Sequence, residues 1–324
     1  MKTLNVTDIP GIRIGQVEDC KAGTGCTVFI NENGMRAGVD IRGGGPASRE
    51  TPLLDPLKAA KLIHGVVIAG GSAFGLGAAN GVMQYMEERG MGYDVGVTKV
   101  PLIIQSDIFD LTVGDPYVRP DAMMGYEAAK AAFESPNYKD GNYGAGCGAT
   151  VGKIAGMDRC TKTGIGSFAA QIDDLIVGAV VTLNALGDVF DWKTNTCIAG
   201  LLNEDKNGFI SSPQVIKQSI ESVKNKFVTN TTLGVIITNA DFDKASLCKI
   251  AGMGHDGYAR SIRPVHTSFD GDTIYALSVG NVKADMEVVG VLAAEVISEA
   301  IINAVNSAES AYGFPCSGDV LKTH

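Results

Sequence analysis

A chain of 324 residues with 45% hydrophobic side chains is long enough to bury a sizeable core, in one large domain or two ordinary ones. Its formal charge of -9 comes with no basic stripe beyond Lys224 and Lys226, which excludes an electrostatic nucleic-acid footprint and leaves small molecules or proteins as partners. Seven cysteines without a CxxC pair, and a start (MKTLNVTDIPGIRIG) with no apolar signal core, are expected of a cytoplasmic protein with reduced thiols.

In chain order, short runs rich in Val, Ile or Thr predict strands at 26–30 and 38–42, then at 66–69. The last leads into a helix over 72–89, for which Ser72 is a candidate N-cap, and Asp121 is the cap of a second helix ending at Glu134. Residues 135–146, SPNYKDGNYGAG, are dense in turn formers and read as a loop on the active-site side or at an interface. A strand follows at 175–183, then a helix over 213–227 with Pro213 in its first turn. The remaining elements are a strand at 233–238, a helix from 242 to 250 continuing to 262, a strand at 273–279 and a helix over 284–307.

Several strands are apolar on both faces, as a covered sheet requires, and they do not alternate strictly with helices. That pattern favours an α/β fold of layered sheets covered by helices. The most apolar helix is interrupted by Glu295 and Glu299, which would be costly in lipid, so it is expected in the core and no membrane partner is implied.

Two glycine-rich stretches imitate known sites and fail. GAGCGATVGKI at 144–154 lacks the first glycine of a phosphate loop, which is Cys147, and the Ser or Thr that would hold magnesium, which is Ile154. It leaves Lys153 at the end of a glycine turn, either solvated or facing a cavity. AGGSAFG at 69–75 has Phe74 where a nucleophile elbow needs glycine, so Ser72 is better read as a cap. The four histidines, His64, His255, His266 and His324, show no metal-ligand spacing, and no cofactor or metal is expected.

Asp270 and Asp272 in FDGDT are two residues apart at the start of a strand, where an extended backbone puts both on one face. Two close carboxylates repel, which raises a pKa or demands a shared partner; a plain surface turn is the alternative. Asn230-Thr231-Thr232, just before the 233–238 strand, is open to three readings: a glycosylation sequon, a strand lead-in, or a bond the protein cuts in itself. The sequon has meaning only on a secreted chain. Self-cleavage before a threonine would free an α-amine of pKa about 7.7–8.0, suited to act as a base near neutrality.

Beyond these local readings, GIRIGQ, RGGGPASRETPLLDP at 42–56, AGGSAFGLGAANGVM at 69–83, GATVGK, LNALGDVFD at 183–191 and RPVHTSFDGDT at 263–273 follow one another in an order that resembles a known family. It is that of the DmpA-type L-aminopeptidase/D-esterases, which includes β-aminopeptidases and the nylon-oligomer (6-aminohexanoate-oligomer) hydrolases. The resemblance spans nearly the whole chain and implies a layered α/β/β/α sandwich of the N-terminal-nucleophile type.

It also implies self-cleavage between Asn230 and Thr231 into a larger chain, 1–230, and a smaller one, 231–324, which assemble as homo-oligomers of processed heterodimers. Thr231 would be the nucleophile and, through its free amine, the base. Asn184 would be the oxyanion donor, Lys153 the active-site lysine, and Asp270 and Asp272 the acidic pair of the nylon-hydrolase branch. Where the family has a tyrosine near the substrate, SDIFDL places Phe109. The implied activity is hydrolysis of a small amide or peptide through a threonine acyl-enzyme, closest in motifs to the nylon-oligomer hydrolases. An acyltransferase like the ornithine acetyltransferases, and an unprocessed scaffold, are the alternatives.

Overall fold

The computed structural model of the chain describes residues 1–218 and 230–322; most of the second half of the helix expected over 213–227 and His324 lie outside them. Side-chain alternation along the strands sorts the apolar residues into three layers. Leu233, Val235 and Ile237 of strand Leu233–Ala240, with Tyr275 and Leu277 of Thr273–Val282, face Phe29, Val66, Ile68 and Ile104 of a second sheet. Their neighbours Ile236, Ile274 and Ala276 point the other way, under helices Lys244–Ser261 and Met286–Asn306. Cys26, Val28, Ile30 and Val67 of the second sheet likewise pack under helices Ala78–Glu87 and Ala122–Glu134. The product is the layered α/β/β/α sandwich.

Among the described residues the strands run in the order Lys2–Leu4, Ile165–Ile172, Leu175–Thr182, Leu233–Ala240, Thr273–Val282, Thr24–Ile41, Ile63–Ala69, Ile103–Asp107, Ala47–Arg49, with Arg13–Asp19 also on Thr24–Ile41. The strands expected at 26–30 and 38–42 are the two ends of a single strand, Thr24–Ile41. Its register slips between Ile30 and Met35, where NENG reads as a turn, and this irregularity carries the chain from one sheet into the other. At the centre, Leu233–Ala240 and Thr273–Val282 pair in parallel, Leu233 opposite Thr273.

The helix expected over 72–89 divides into a 3-10 segment, Ser72–Gly77, and an α-helix, Ala78–Glu87. Ser72 does not cap it. Gly71 holds the cap position at φ +82°, Ser72 itself lies at φ +54°, and no side-chain cap bond forms, because the tight strand-to-helix turn needs the left-handed backbone there. Asp121 does cap its helix, accepting the Met124 N–H, and Asp243 and Asp285 do the same for the two later ones.

Glycine has a packing reason where helices Ala78–Glu87 and Ala122–Glu134 cross: a Cβ on Gly81 or Gly125 would lie under 2 Å from the Ala122 or Ala78 carbonyl oxygen. Helix Met286–Asn306 is long and apolar enough to cross a membrane by composition, but most of its apolar side chains, among them Val289, Leu292, Val296, Ile297, Ile301 and Val305, are buried inside the sandwich, while Val291 is exposed. The 135–146 segment is pinned to strand Arg13–Asp19: Asn137 bonds both main-chain groups of Gln16, and Lys139 bonds its side chain.

Candidate active site

The parallel central strands bring their two lead-ins side by side. Asn230 bridges Asp270, with the Asn230 N–H on the Phe269 carbonyl at 2.9 Å and the Gly271 N–H on the Asn230 carbonyl at 2.8 Å. On the other flank, the Thr231 N–H donates to the main-chain oxygen of Asn184 at 2.9 Å. Asn184 is there because strand Leu175–Thr182 ends two residues earlier, with Thr182 paired to Leu233. Thr231 is thereby held between two chain segments and is only 4% exposed.

The Thr231 hydroxyl donates to the carbonyl oxygen of Asn230 at 2.5 Å. That oxygen therefore takes two donors, this hydroxyl and the Gly271 N–H. Only glycine fits at 271: a Cβ would sit 2.6 Å from Thr231 Oγ and 2.9 Å from the Gly45 carbonyl oxygen. The RGGGP stretch lies over the same turn, where the Gly45 N–H meets the Asp270 carbonyl at 2.9 Å, and those of Arg42 and Gly43 meet the Asp272 carbonyl.

Asn184 is fully buried and bonded at both ends of its amide. Oδ1 accepts from Lys153 Nζ at 2.5 Å and from the Thr150 N–H at 3.1 Å, and Nδ2 donates to the Phe109 carbonyl at 3.0 Å. An amide nitrogen has two hydrogens, so one remains beyond the Phe109 bond. Lys153 is not a solvated lysine; it is 2% exposed. Burial lowers its pKa from 10.5 to about 8, against the opposing pull of Cys160, Asp270 and Asp110.

The two acids have different surroundings. Asp270 accepts from the N–H and hydroxyl of Thr267 and, at 3.4 Å, from the Leu186 N–H. Burial, and then the charge of Asp272, raise its pKa from 3.8 to about 6. Asp272 accepts from the Thr232 N–H and from the main chain and ring of His266. Of the two outcomes that the spacing allowed, a raised pKa or a shared partner, the carboxylates show the first, at Asp270: they have separate partners, Asp270 lying in a turn closed by its own N–H on the Thr267 carbonyl, and both are buried, not in a surface turn.

The structure thus brings Thr231, Asn230, Asn184, Lys153, Asp270 and Asp272 into one buried cluster. Sequence reasoning passed over Gly271, Thr150, Thr267 and His266 as site residues, although all four stand within stretches it singled out. Phe109 enters through its carbonyl group, which a side-chain comparison does not register.

The chain matches the model of peptidase family S58 over residues 5–316. It is 36% identical to an uncharacterized aminopeptidase of Mycobacterium leprae, covering 96% of this chain and 92% of that protein. A 6-aminohexanoate-oligomer endohydrolase of an Agromyces species is 29% identical over 92% of this chain and 84% of that one. Among solved structures, the L-aminopeptidase D-Ala-esterase/amidase of Ochrobactrum anthropi, described as a variant of the N-terminal-nucleophile hydrolase fold, superposes with a TM-score of 0.67 at 16% identity, covering 94% of this chain and 86% of that one. The chain belongs to peptidase family S58, and it is an amide hydrolase with the N-terminal-nucleophile fold.

Proposed function

We propose that the protein cuts itself between Asn230 and Thr231 and then hydrolyses linear amides with Thr231 as N-terminal nucleophile. The observation that carries this reading is the Thr231 hydroxyl bonded to the Asn230 carbonyl, whose oxygen also takes the Gly271 N–H. In self-cleavage Thr231 Oγ adds to the Asn230 carbonyl carbon as its proton leaves. The C–N bond breaks with the proton passing to nitrogen, and water hydrolyses the resulting ester. The products are a carboxylate on Asn230 and a free amine on Thr231. Departure of the Asn230 carbonyl frees the Gly271 N–H.

In turnover the Thr231 amine takes the Oγ proton and delivers it to the leaving amine of the substrate; water then releases the acyl group. The free hydrogen of Asn184 Nδ2 and the Gly271 N–H are donors to the oxyanion, and one such donor is worth roughly a hundred- to a thousandfold. Lys153 holds the Asn184 amide by its oxygen. Asp272 holds the Thr232 N–H and so the peptide that follows the nucleophile, while Asp270 shares the field of Lys153 and takes up a proton near its raised pKa.

The substrates of choice are short peptides, β-peptides and aminohexanoate oligomers; the names of the two relatives support the first and the last of these. The assembly is a homo-oligomer of processed heterodimers. The compartment is the cytoplasm, a placement supported by seven cysteines that are all free thiols.

Denaturing electrophoresis with intact mass tests the reading: two chains, 1–230 and 231–324, are expected, and Thr231→Ala is expected to stay whole and inactive. A fully active preparation that remains a single chain refutes it. A panel of aminoacyl amides, β-peptides and aminohexanoate oligomers then ranks the substrates.

A further inference from the structure

Asp272 is buried, and among the described residues no lysine or arginine nitrogen lies within ion-pairing distance of it. Its counterpart is a histidine. Oδ2 accepts from both the main-chain N–H and the ring Nδ1 of His266, each at 3.0 Å, while Oδ1 accepts the Thr232 N–H at 2.9 Å. His266 reaches the carboxylate twice because its backbone lies at φ +58°, a left-handed conformation that few residues other than Gly, Asn and Asp adopt readily.

The ring is fixed from behind as well. Its centroid lies 4.6 Å from that of the buried His255, edge to face, and Tyr258 stands tilted beside it at 6.0 Å. Among the described residues Nε2 has no hydrogen-bond partner, and because a carboxylate only accepts, the bond to Asp272 carries its hydrogen on Nδ1. A left-handed backbone, a clamped ring and a donor on Nδ1 converge on one oxygen of Asp272, whose other oxygen holds the peptide that follows the nucleophile.

The geometry points to His266 as a positioning residue for Thr231. By fixing Asp272 against the Thr232 N–H, it fixes the Thr231–Thr232 peptide and with it the direction from which Thr231 Oγ meets a carbonyl carbon. The inference rests on the self-cleavage reading and adds a residue to it. A displacement of about 1 Å in such a site is enough to cost on the order of a hundredfold in rate.

Three full-length variants separate the ring's donor from its shape. His266→Asn keeps a donor nitrogen near the place of Nδ1 and tolerates the left-handed backbone. His266→Ala removes the donor and the ring together, and His266→Gly removes them and also relaxes the backbone. The readouts are the first-order rate of precursor splitting, and kcat and KM of the split enzyme.

The Asn variant is expected within about threefold of wild type in both rates. The Gly and Ala variants are expected about ten- to a hundredfold slower in splitting and in kcat, as for the loss of one hydrogen bond to a charged group, with KM little changed. A Gly variant as fast as wild type, or an Asn variant as slow as Gly, overturns the inference. If the Gly variant does not fold, the Asn and Ala pair makes the same comparison. A wild-type chain that never splits defeats the parent reading and this one with it, whereas a splitting wild type with an equally fast Gly variant defeats only this one.

Discussion

Lys153→Met separates what a buried cation does for the site from what it does for the fold. Methionine keeps the unbranched stem and removes the ammonium, which bonds Asn184 Oδ1 at 2.5 Å and the Asn184 main-chain oxygen at 3.4 Å. The Asn184 amide then keeps only the Thr150 N–H and the Phe109 carbonyl. One charge-assisted bond is worth about 1.5–3 kcal/mol, so splitting and kcat should each fall by roughly ten- to a hundredfold. Stability should move otherwise. The folded pKa of Lys153 is depressed from 10.5 to about 8, so between those values the unfolded chain binds the proton and the folded one does not. Wild-type stability therefore rises with pH across that window, and below it the buried ammonium costs about 3 kcal/mol. The Met variant should lack that rise and melt no lower than wild type at neutral pH, as hydrogen-bond loss offsets relief of burial. Urea titrations at pH 7 and pH 10, beside splitting time courses at pH 7, measure both. Rates within about threefold of wild type, or rates that fall only as the melting temperature falls, refute the assignment of Lys153 to Asn184.

Gly271→Ala should block splitting by more than about a hundredfold, since its Cβ would lie 2.6 Å from Thr231 Oγ, with an overpacking cost of about 1–3 kcal/mol by thermal melting. Asn184→Ala should lower kcat by roughly a hundred- to a thousandfold through loss of an oxyanion donor, followed in single-turnover acylation. Asp270 has a folded pKa raised from 3.8 to about 6, so the folded chain holds its proton where the unfolded chain has lost it. This group thus adds stability as pH falls from about 6 toward 4, and Asp270→Asn should flatten that part of a urea stability profile.

Legibility from sequence follows the physical cause of each element. Strands buried on both faces, such as Leu233–Ala240 and Leu175–Thr182, announce themselves by unbroken apolar runs. Ile165–Ile172 escaped notice because GSFAAQI is built of small and polar residues and becomes a strand through its neighbours. Thr24–Ile41 reads as two runs, 26–30 and 38–42, because the polar residues 31–34 between them interrupt the apolar pattern where the register slips. In the site, Thr231, Asn184, Lys153 and the acidic pair were legible as residue types in ordered motifs. The burial of Lys153 was not, since its partner Asn184 lies 31 residues further along the chain. Neither were His266 and the Phe109 carbonyl, because a left-handed histidine and a main-chain acceptor leave no compositional signature.

Strand Leu233–Ala240 is hydrogen-bonded on one side to Leu175–Thr182 and shares its other side with Thr273–Val282, which in turn pairs with Thr24–Ile41. Two strands from beyond the Asn230–Thr231 junction therefore fill the middle of a sheet whose flanks come from before it. A nick at that junction leaves two polypeptides interleaved like the teeth of a closed zip, and separating them means unravelling the sheet. Dilution should not part them, and neither piece made alone has a complete sheet to fold around. On the proposed self-cleavage, the precursor would be its own assembly jig: the continuous chain would thread the strands into place first, and the covalent link would be dispensable only afterwards.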